Sequence, residues 1–168
     1  MTKFLFFCSI ILMSNLLMSQ VNKIILDEPS GKQILVGYVT REAFSDTQFS
    51  WYDKNFEDYK VNTTILEGIE EEISGIEITA VIGSWCGDTK RELPRFHKIL
   101  DYLNFPSENL KMIALDVDKK TDVEEFDKLK VSFVPTLIFY KNGEEIGRIV
   151  EQPYKSLEED IVYILRKE

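Results

Sequence analysis

The order of predicted strands and helices after residue 76 limits the folds that this chain can adopt. Residues 77–82 and 110–117 are apolar runs of strand length, and residues 88–103 between them carry apolar side chains at helical spacing. A strand, a helix and a second strand in succession pair in parallel, because the helix crosses back over the sheet. The sequence therefore predicts a parallel pair of strands at the centre of the molecule.

The elements that follow add an antiparallel edge to this sheet. Residues 134–140 and 145–150 are predicted strands, and the Asn142-Gly143 pair between them is typical of a tight hairpin. Residues 122–129 are predicted to form a helix, and a further helix is predicted at the C-terminus. The expected fold is α/β, with a mixed central sheet flanked by helices.

The first part of the chain has a less regular pattern. Residues 33–40 are predicted to form a strand, residues 64–73 a helix, and residues 48–60 a surface segment that lays aromatic rings on the core. Residues 20–32 are polar and are expected to form a loosely held lead-in. We divide the chain into a signal peptide over residues 1–19, an N-terminal extension packed on the core over residues 20–75, and the main domain over residues 76–168.

Length and charge exclude several classes of protein. The chain has 168 residues, enough for one domain that folds without a metal or a disulfide. It carries 20 basic and 29 acidic residues, for a net charge of −9 with histidine neutral. This acidity opposes binding to nucleic acids, which requires lysine and arginine to neutralise phosphates. No nucleic acid, metal or cofactor is predicted as a ligand.

Residues 1–19 have the composition of a secretory signal peptide. A short, weakly basic start leads into an apolar run over residues 4–13, and no acidic residue precedes Asp27. The run is shorter than the roughly 20 residues that a membrane-spanning helix needs, so a retained membrane anchor is the less favoured alternative. We expect cleavage near Ser19 and Gln20, and hence an exported protein, periplasmic or secreted.

Cleavage at that point would leave a single thiol. The chain has two cysteines, Cys8 and Cys86, and Cys8 lies within the apolar run. A mature protein with Cys86 alone can form no internal disulfide. Cys86 stands between a predicted strand and a predicted helix, and a helix N-terminus favours the thiolate, which is the nucleophilic form of a thiol. The sequence thus singles out Cys86 as the candidate catalytic residue.

The sequence around this cysteine resembles a known active-site loop. Residues 85–90, WCGDTK, are similar to the active-site loop of thioredoxins, and Pro94 matches the proline that bends the following helix in that family. Residues 139–144 resemble the family's closing hairpin. The longer string of residues 85–96 resembles exported bacterial members, with a WCGDT motif that holds a single cysteine. The resemblance covers residues 76–167 and implies a thioredoxin fold with an added N-terminal region.

The resemblance also implies which residues form the site. Cys86 would be the catalytic thiol of thiol–disulfide exchange, and a cis-proline loop would face it and pair with an extended peptide. The implied partners are client protein thiols or disulfides, or a low-molecular-weight thiol. The predicted site comprises Cys86, the supporting residues Trp85, Gly87, Asp88 and Thr89, and the cis-proline loop residues Val134, Pro135 and Thr136.

Three departures from the thioredoxin pattern bear on mechanism. Thr89 stands where thioredoxins carry a second cysteine, so release of a mixed disulfide must come from an external thiol. Asp88 stands where a proline is usual, and its charge would oppose ionisation of Cys86. Ala80 stands where the family has a buried aspartate that accepts protons.

Two functions therefore remain open. One is monothiol exchange through Cys86, in which Thr89 donates a hydrogen bond to the thiolate and Lys90 and Arg91 hold anionic groups. The other is a redox-inactive module of the same fold that binds peptides or partner proteins. Thiol peroxidase activity is a weaker third, because no threonine shortly precedes the cysteine. The only histidine, His97, is expected on the surface or half-buried on a helix, without a chemical role.

Overall fold

A six-stranded sheet forms the centre of the computed structural model, which describes residues 21–167. The predicted signal peptide, residues 1–19, lies outside the described residues. The strands are β1 (Lys23–Asp27), β2 (Lys32–Val39), β3 (Ile76–Ile82), β4 (Leu110–Ala114), β5 (Thr136–Lys141) and β6 (Glu144–Val150). Their order across the sheet is β1-β2-β4-β3-β5-β6.

Five helices surround this sheet, together with four short 3-10 turns. The helices are α1 (Trp51–Asp58), α2 (Thr63–Leu66), α3 (Glu70–Ile73), α4 (Gly87–Tyr102) and α5 (Leu157–Arg166). The 3-10 turns are Arg41–Ser45, Thr47–Phe49, Ser107–Asn109 and Phe126–Leu129. Within residues 21–167, no helix combines the length and the apolarity that crossing a bilayer requires.

The strand directions confirm the mixed α/β fold. β3 and β4 are parallel, with Ile82 opposite Ala114, and α4 lies between them in the chain. β5 pairs antiparallel with both β3 and β6, and β2 pairs antiparallel with β4. The carboxyl ends of β3 and β4 therefore lie at one edge of the sheet, and the chain leaves β3 there toward α4.

Side chains of the central strands alternate between two apolar clusters. On β3, Ile78, Ala80 and Ile82 belong to a larger cluster that includes residues of α4 and α5. Val81 points to the other face and belongs to a smaller cluster, against which Trp85 and Cys86 pack. A strand buried on both faces explains why β3 is almost continuously apolar.

The first strand of the sheet was not predicted. Residues 20–32 were expected to form a loosely held lead-in, but Lys23–Asp27 pairs with β2 as an antiparallel hairpin. The Asp27 carboxylate accepts a hydrogen bond from the Ser30 backbone N–H at 3.2 Å, and Gly31 has a φ of +64°. The sequence of β1 does not show the usual alternation of buried apolar and exposed polar residues, because its apolar residues Ile24 and Leu26 face solvent.

Two predicted helices are shorter than expected. The helix predicted over residues 64–73 is split into α2 and α3, because Gly68 between them adopts a φ of +77°. The helix predicted over residues 122–129 is reduced to the 3-10 turn Phe126–Leu129. Apolar residues recur there every three positions, which matches the three residues per turn of a 3-10 helix.

The region before β3 is tied to the helical face of the core. As expected, the aromatic segment places rings on the core, and Phe49 and Tyr52 are buried. Lys98 of α4 donates to the carbonyl of Phe56 at the end of α1, with an Nζ–O distance of 2.7 Å. The buried carboxylate of Glu158 in α5 accepts hydrogen bonds from the Tyr59 hydroxyl at 2.8 and 2.9 Å.

Candidate functional site

Cys86 is the last residue before α4, at the point where the chain leaves the sheet. The backbone N–H of Cys86 donates to Gly83 O at 2.8 Å, which closes a turn directly after β3. Its carbonyl accepts from the Lys90 N–H at 3.1 Å and so starts the helix. The side chain is partly exposed and the thiol is free. The sulfur is therefore accessible at a helix N-terminus.

Three contacts hold the loop that carries Cys86. Ser84 Oγ, which is buried, accepts a hydrogen bond from the Leu35 backbone N–H of β2 at 3.0 Å. The Trp85 indole Nε1 donates to the Leu115 carbonyl after β4 at 3.0 Å. A Cβ added at Gly83 would lie 2.8 Å from the Trp85 ring, so this position requires glycine. Trp85 thus packs on its own loop.

The proline loop faces Cys86 across the site. The Val134–Pro135 peptide bond is cis, and the Cys86 thiol donates to the Val134 carbonyl with an Sγ–O distance of 3.2 Å. The Thr136 hydroxyl donates to the Phe133 carbonyl at 2.7 Å, which closes the loop on itself. The structure therefore brings together the predicted thiol and the predicted proline loop, although 48 residues separate Cys86 from Val134.

Thr89 is placed differently from the prediction. Its side chain is fully buried, and its Oγ1 accepts a hydrogen bond from the Gly83 N–H at 3.3 Å. The predicted hydrogen bond from Thr89 to the Cys86 sulfur is not among the contacts of the described residues, in which the sulfur donates to Val134 O. Thr89 therefore supports the loop from beneath, and the neighbouring backbone supplies the polar partner of the sulfur.

Charges in the first turn of α4 largely cancel, with one exception. Arg91 Nη2 lies 2.7 Å from an oxygen of Asp88 and so offsets the charge of that carboxylate. Arg91 also pairs with the buried Glu92, and hydrogen bonds to Glu92 and to Asp88 raise the pKa of the Arg91 guanidinium. Lys90 is in no ion pair within the part of the chain that the structure describes. Of the two cations predicted to hold anions, only Lys90 is available.

Apolar side chains are exposed on two loops at the Cys86 end of the sheet. Phe133, next to the proline loop, is 50% exposed, and Val117, in the loop after β4, is 41% exposed. Lys119 Nζ lies 4.8 Å from the centre of the Phe133 ring, so these two loops are neighbours. We call Val117 and Phe133, together with the proline loop, the proline-side surface.

His97 contradicts the expectation of a surface or half-buried residue. It is 2% exposed, and its Nδ1 lies 2.6 Å from the Tyr52 hydroxyl. Burial, followed by the nearby charge of Arg41, lowers the pKa of His97 to about 3. Its position between Phe96 and Lys98 gave no sign of burial, because α1 covers it from outside the helix. His97 lies about three helical turns beyond Cys86 and takes no part in the site.

Metal ligands do not converge in the described part of the chain. Among residues 21–167, no group of three or more histidine, cysteine, aspartate or glutamate side chains is arranged to hold a metal ion.

Sequence comparison relates the chain to one family. The family model described as Thioredoxin matches residues 56–163. A thioredoxin of Echinococcus granulosus is 33% identical over 96 residues, which cover 51% of this chain and 84% of that protein. Thioredoxin-2 of Saccharomyces cerevisiae is 37% identical over 79 residues, covering 46% of this chain and 70% of that protein.

Two solved structures align with part of the chain. A thioredoxin of Fasciola hepatica aligns with a TM-score of 0.35 at 22% identity, over 52% of this chain and 79% of that one. A Pseudomonas aeruginosa protein of unknown function aligns with a TM-score of 0.44 at 14% identity, over 69% of this chain and 80% of that one. The span matched by the family model runs from α1 into α5 and includes both Cys86 and Pro135.

Proposed function

Because this chain belongs to the thioredoxin family, we propose that it is an exported protein that exchanges thiols and disulfides through Cys86 alone. The observation that carries the proposal is a partly exposed free thiol at a helix N-terminus, 3.2 Å from the carbonyl of Val134. Thr89, at the position of the second cysteine, is buried beneath the loop. The substrates are disulfides and thiols of client proteins.

The proposed exchange needs a second thiol from outside. The Cys86 thiolate attacks one sulfur of a client disulfide, that bond breaks, and the departing client sulfur takes up a proton. A small thiol then attacks Cys86 Sγ, releases the second client sulfur as a thiol and remains joined to Cys86. A second small thiol attacks the first one and restores Cys86. In total, one client disulfide and two small thiols become two client thiols and one small disulfide.

The proline-side surface supports a protein as the client. It exposes the apolar side chains of Val117 and Phe133 on two neighbouring loops, one of which leads into the proline loop, and such side chains suit an unfolded or extended segment. The backbone at Val134, beside the thiol, offers polar groups to which an extended peptide can bond in the manner of an added strand. Apolar contact and backbone pairing together favour clients without a fixed sequence.

The proposed activity is tested with the full chain and two serine variants. We expect the wild type to accelerate reduction of a peptide disulfide by a small thiol, and Cys86→Ser to give the rate of the small thiol alone. Cys8→Ser is the matched control, because it removes the other sulfur and should keep the wild-type rate. Equal rates for the wild type and Cys86→Ser would refute the proposal.

A binding module without redox turnover is the second candidate. The observation that favours it is Ala80, a fully buried alanine where a proton acceptor would be expected behind the thiol. Under this alternative, Cys86→Ser should bind unfolded client peptides as tightly as the wild type does, and the wild type should show no acceleration of disulfide reduction. Peptide titrations of both proteins, run beside the exchange assay, separate the two candidates.

Export is the part of the proposal that residues 1–19 support. An apolar run without acidic residues before Asp27 is typical of a secretory signal peptide. We expect the protein to be recovered outside the cytoplasm with a new N-terminus near Gln20. N-terminal sequencing of the protein from periplasmic and secreted fractions checks this, and an intact Met1 on all recovered protein would contradict it.

A further inference from the structure

A cavity lies beside the active-site loop, on the side that faces the N-terminal region. Its volume is about 500 Å³, and it opens between the start of β2, the turn before α1 and the loop of Cys86. We call it the lysine pocket. Its wall includes Lys32, Gln33, Gln48, Trp51, Trp85 and Lys90.

The charge of the lysine pocket is opposite to that of the chain. Among residues 21–167, the only charged side chains that line it are Lys32 and Lys90, in a chain of net charge −9. Neither lysine is in an ion pair with any of residues 21–167. Two ammonium groups on one concave surface repel each other, and an anion bound between them would relieve that repulsion.

The lysine pocket adjoins Cys86 without overlapping the client side. Lys90 lies one helical turn beyond Cys86, and its backbone N–H donates to the Cys86 carbonyl at 3.1 Å. Trp85, directly before Cys86, lines the pocket, whereas Val134, Pro135 and Thr136 do not. Cys86 itself does not line the pocket, so a small molecule held there would reach the sulfur from beyond Trp85 while a client occupies the proline-side surface.

We infer that the lysine pocket binds the carboxylates of the small thiol that releases the client from Cys86. The inference rests on the proposed single-thiol function and names the chemical class of its second substrate, an anionic thiol with one or more carboxylates. Lys32 and Lys90 would bind the carboxylates, the amides of Gln33 and Gln48 would hydrogen-bond to polar atoms, and Trp51 would pack against the carbon chain.

The step assigned to this site is the attack on the mixed disulfide. The bound thiol, as its thiolate, attacks Cys86 Sγ, the bond from Cys86 to the client sulfur breaks, and the client leaves as a thiol after taking up a proton. Cys86 then carries the small molecule, and a second anionic thiol removes it as a small disulfide. The lysines hold the attacking molecule in place and are not themselves altered.

Release rates of a pre-formed mixed disulfide test the inference. Cys86 is loaded with 2-thiopyridine, and its release is followed with mercaptosuccinate (two carboxylates), 2-mercaptoethanol (uncharged) or cysteamine (cationic). Each rate is divided by the rate of the same thiol with a 2-thiopyridine disulfide of free cysteine. We expect the normalised rate for mercaptosuccinate to exceed that for 2-mercaptoethanol roughly tenfold at low salt and to fall as salt is added.

Charge-removing variants identify the groups responsible. In Lys32→Gln/Lys90→Gln the mercaptosuccinate rate should fall about fivefold to tenfold, whereas the 2-mercaptoethanol rate should stay within about twofold. Lys141→Gln is the matched control, because Lys141 pairs with Ile76 at the far end of the sheet from Cys86. Its rates should equal those of the wild type. Equal normalised rates for the three thiols, or an equal loss for all three in the double variant, would overturn the inference.

A binding measurement separates this inference from the proposed function. S-methyl-mercaptosuccinate cannot exchange, and we expect it to change the tryptophan fluorescence of Cys86→Ser, because Trp51 and Trp85 line the pocket. The change should be lost in Cys86→Ser/Lys32→Gln/Lys90→Gln. If Cys86 forms no mixed disulfide but this binding is seen, the proposed function fails and the anion site stands. If no binding is seen at millimolar concentration, the anion site is wrong.

Discussion

At the scale of single residues, the chemistry of this protein depends on what faces Cys86. The sulfur donates to Val134 O, the hydroxyl of Thr89 is held by the loop, and the charge of Asp88 is offset by Arg91. Each of these contacts comes from a residue near Cys86 in the fold, so the environment of the thiol is set by its own loop together with the proline loop. Substitutions of Thr89, Gly83 and His97, with matched controls, examine this environment and its surroundings.

Thr89→Cys should convert the site to a dithiol. Residues 86 and 89 are separated by less than one turn at the start of α4, a separation that a disulfide can span. We expect Thr89→Cys to form a disulfide with Cys86 on oxidation and to reduce a client disulfide once without any external thiol. The number of free thiols before and after oxidation, measured by alkylation and mass spectrometry, checks this.

Thr89→Ser is the control for that experiment. It keeps a hydroxyl that can accept from Gly83 N–H, so both its stability and its need for an external thiol should match the wild type. Thr89→Cys weakens that hydrogen bond, which should cost about 1 kcal/mol of stability. If oxidised Thr89→Cys keeps both thiols free of a mutual disulfide, residues 86 and 89 do not have the geometry described here.

Gly83→Ala should destabilise the loop. The new Cβ would lie 2.8 Å from the Trp85 ring, so the indole must move and its hydrogen bond to Leu115 O is strained. We expect a loss of about 1–3 kcal/mol in the free energy of unfolding, measured by urea titration. Gly87→Ala is the control, since nothing lies within 4 Å of its added Cβ and alanine favours the helix. Equal stabilities of the two variants would contradict this packing.

His97 should make the protein less stable in mild acid. Its pKa, about 3 in the folded state, is below the usual value of 6.5, so the unfolded chain binds the proton first as pH falls. The stabilisation is present above pH 6.5 and is lost on acidification, by about 2 kcal/mol between pH 7 and pH 5. Urea titrations at both pH values should show this loss in the wild type.

The variant His97→Asn isolates this effect. It removes the titrating group, so its stability should change little between pH 7 and pH 5, whatever its absolute value. Acidic side chains ordinarily titrate below this window and contribute a smaller, shared change. A wild type and a variant with the same pH dependence would show that His97 is protonated in the folded protein.

At the scale of elements, the segment after α1 is anchored to α5 by a buried carboxylate. Glu158 is 1% exposed and accepts from the Tyr59 hydroxyl and from the Asn62 N–H at 2.9 Å. Burial, followed by the hydrogen bond and the charge of Glu158, raises the pKa of Tyr59, so the phenol stays protonated as the donor. This contact joins parts of the chain that lie almost a hundred residues apart.

Removal of that carboxylate should loosen the segment. We expect Glu158→Ala to lose about 2–4 kcal/mol in the free energy of unfolding, because two buried donors lose their acceptor. Glu159→Ala, at the next position, removes a more exposed carboxylate paired with Lys155 at 3.6 Å and should lose less than about 1 kcal/mol. Urea titration of the two variants gives the comparison, and similar losses would count against the anchoring role of Glu158.

At the scale of the whole molecule, the region before β3 completes the core. β2 supplies the neighbour of β4, and the larger apolar cluster includes Phe44, Phe49, Leu66 and Ile69 from this region, each 2% exposed or less. Burial of each such side chain contributes about 1.5–3 kcal/mol, so four of them contribute an amount comparable to the 5–15 kcal/mol stability of a typical domain.

Residues 76–168 alone should therefore not fold cooperatively. A chain without residues 1–75 exposes the edge of β4 and the faces of α4 and α5 that this region covers. We expect it to show no cooperative urea transition by circular dichroism, whereas a chain without residues 1–19 should unfold as the full chain does. A cooperative urea transition in residues 76–168 would show that the preceding region is not required for the core to fold.

Local sequence was sufficient to predict the strands and helices in which apolar residues recur at regular spacing. The almost continuously apolar sequence of β3 and the helical spacing of apolar residues in α4 reflect burial of one segment against many neighbours, so each can be recognised from its own sequence. The position of Cys86 between a strand and a helix was likewise predictable from the sequence, and the cis bond at Pro135 was implied by the resemblance of its loop to that of thioredoxins. The mixed sheet followed from these patterns, and the thioredoxin fold and the pairing of the thiol with the proline loop were implied by the resemblance.

Other features depend on which distant segment covers a residue, and no local pattern carries that information. His97 is buried because α1 packs across α4, and residues 23–27 form a strand because β2 offers them a partner. Lys32 joins Lys90 in one pocket although 58 residues separate them. The burial of His97 and the charge of the lysine pocket both depend on contacts between segments that are distant in sequence. Those contacts form only when the sheet and its helices are assembled.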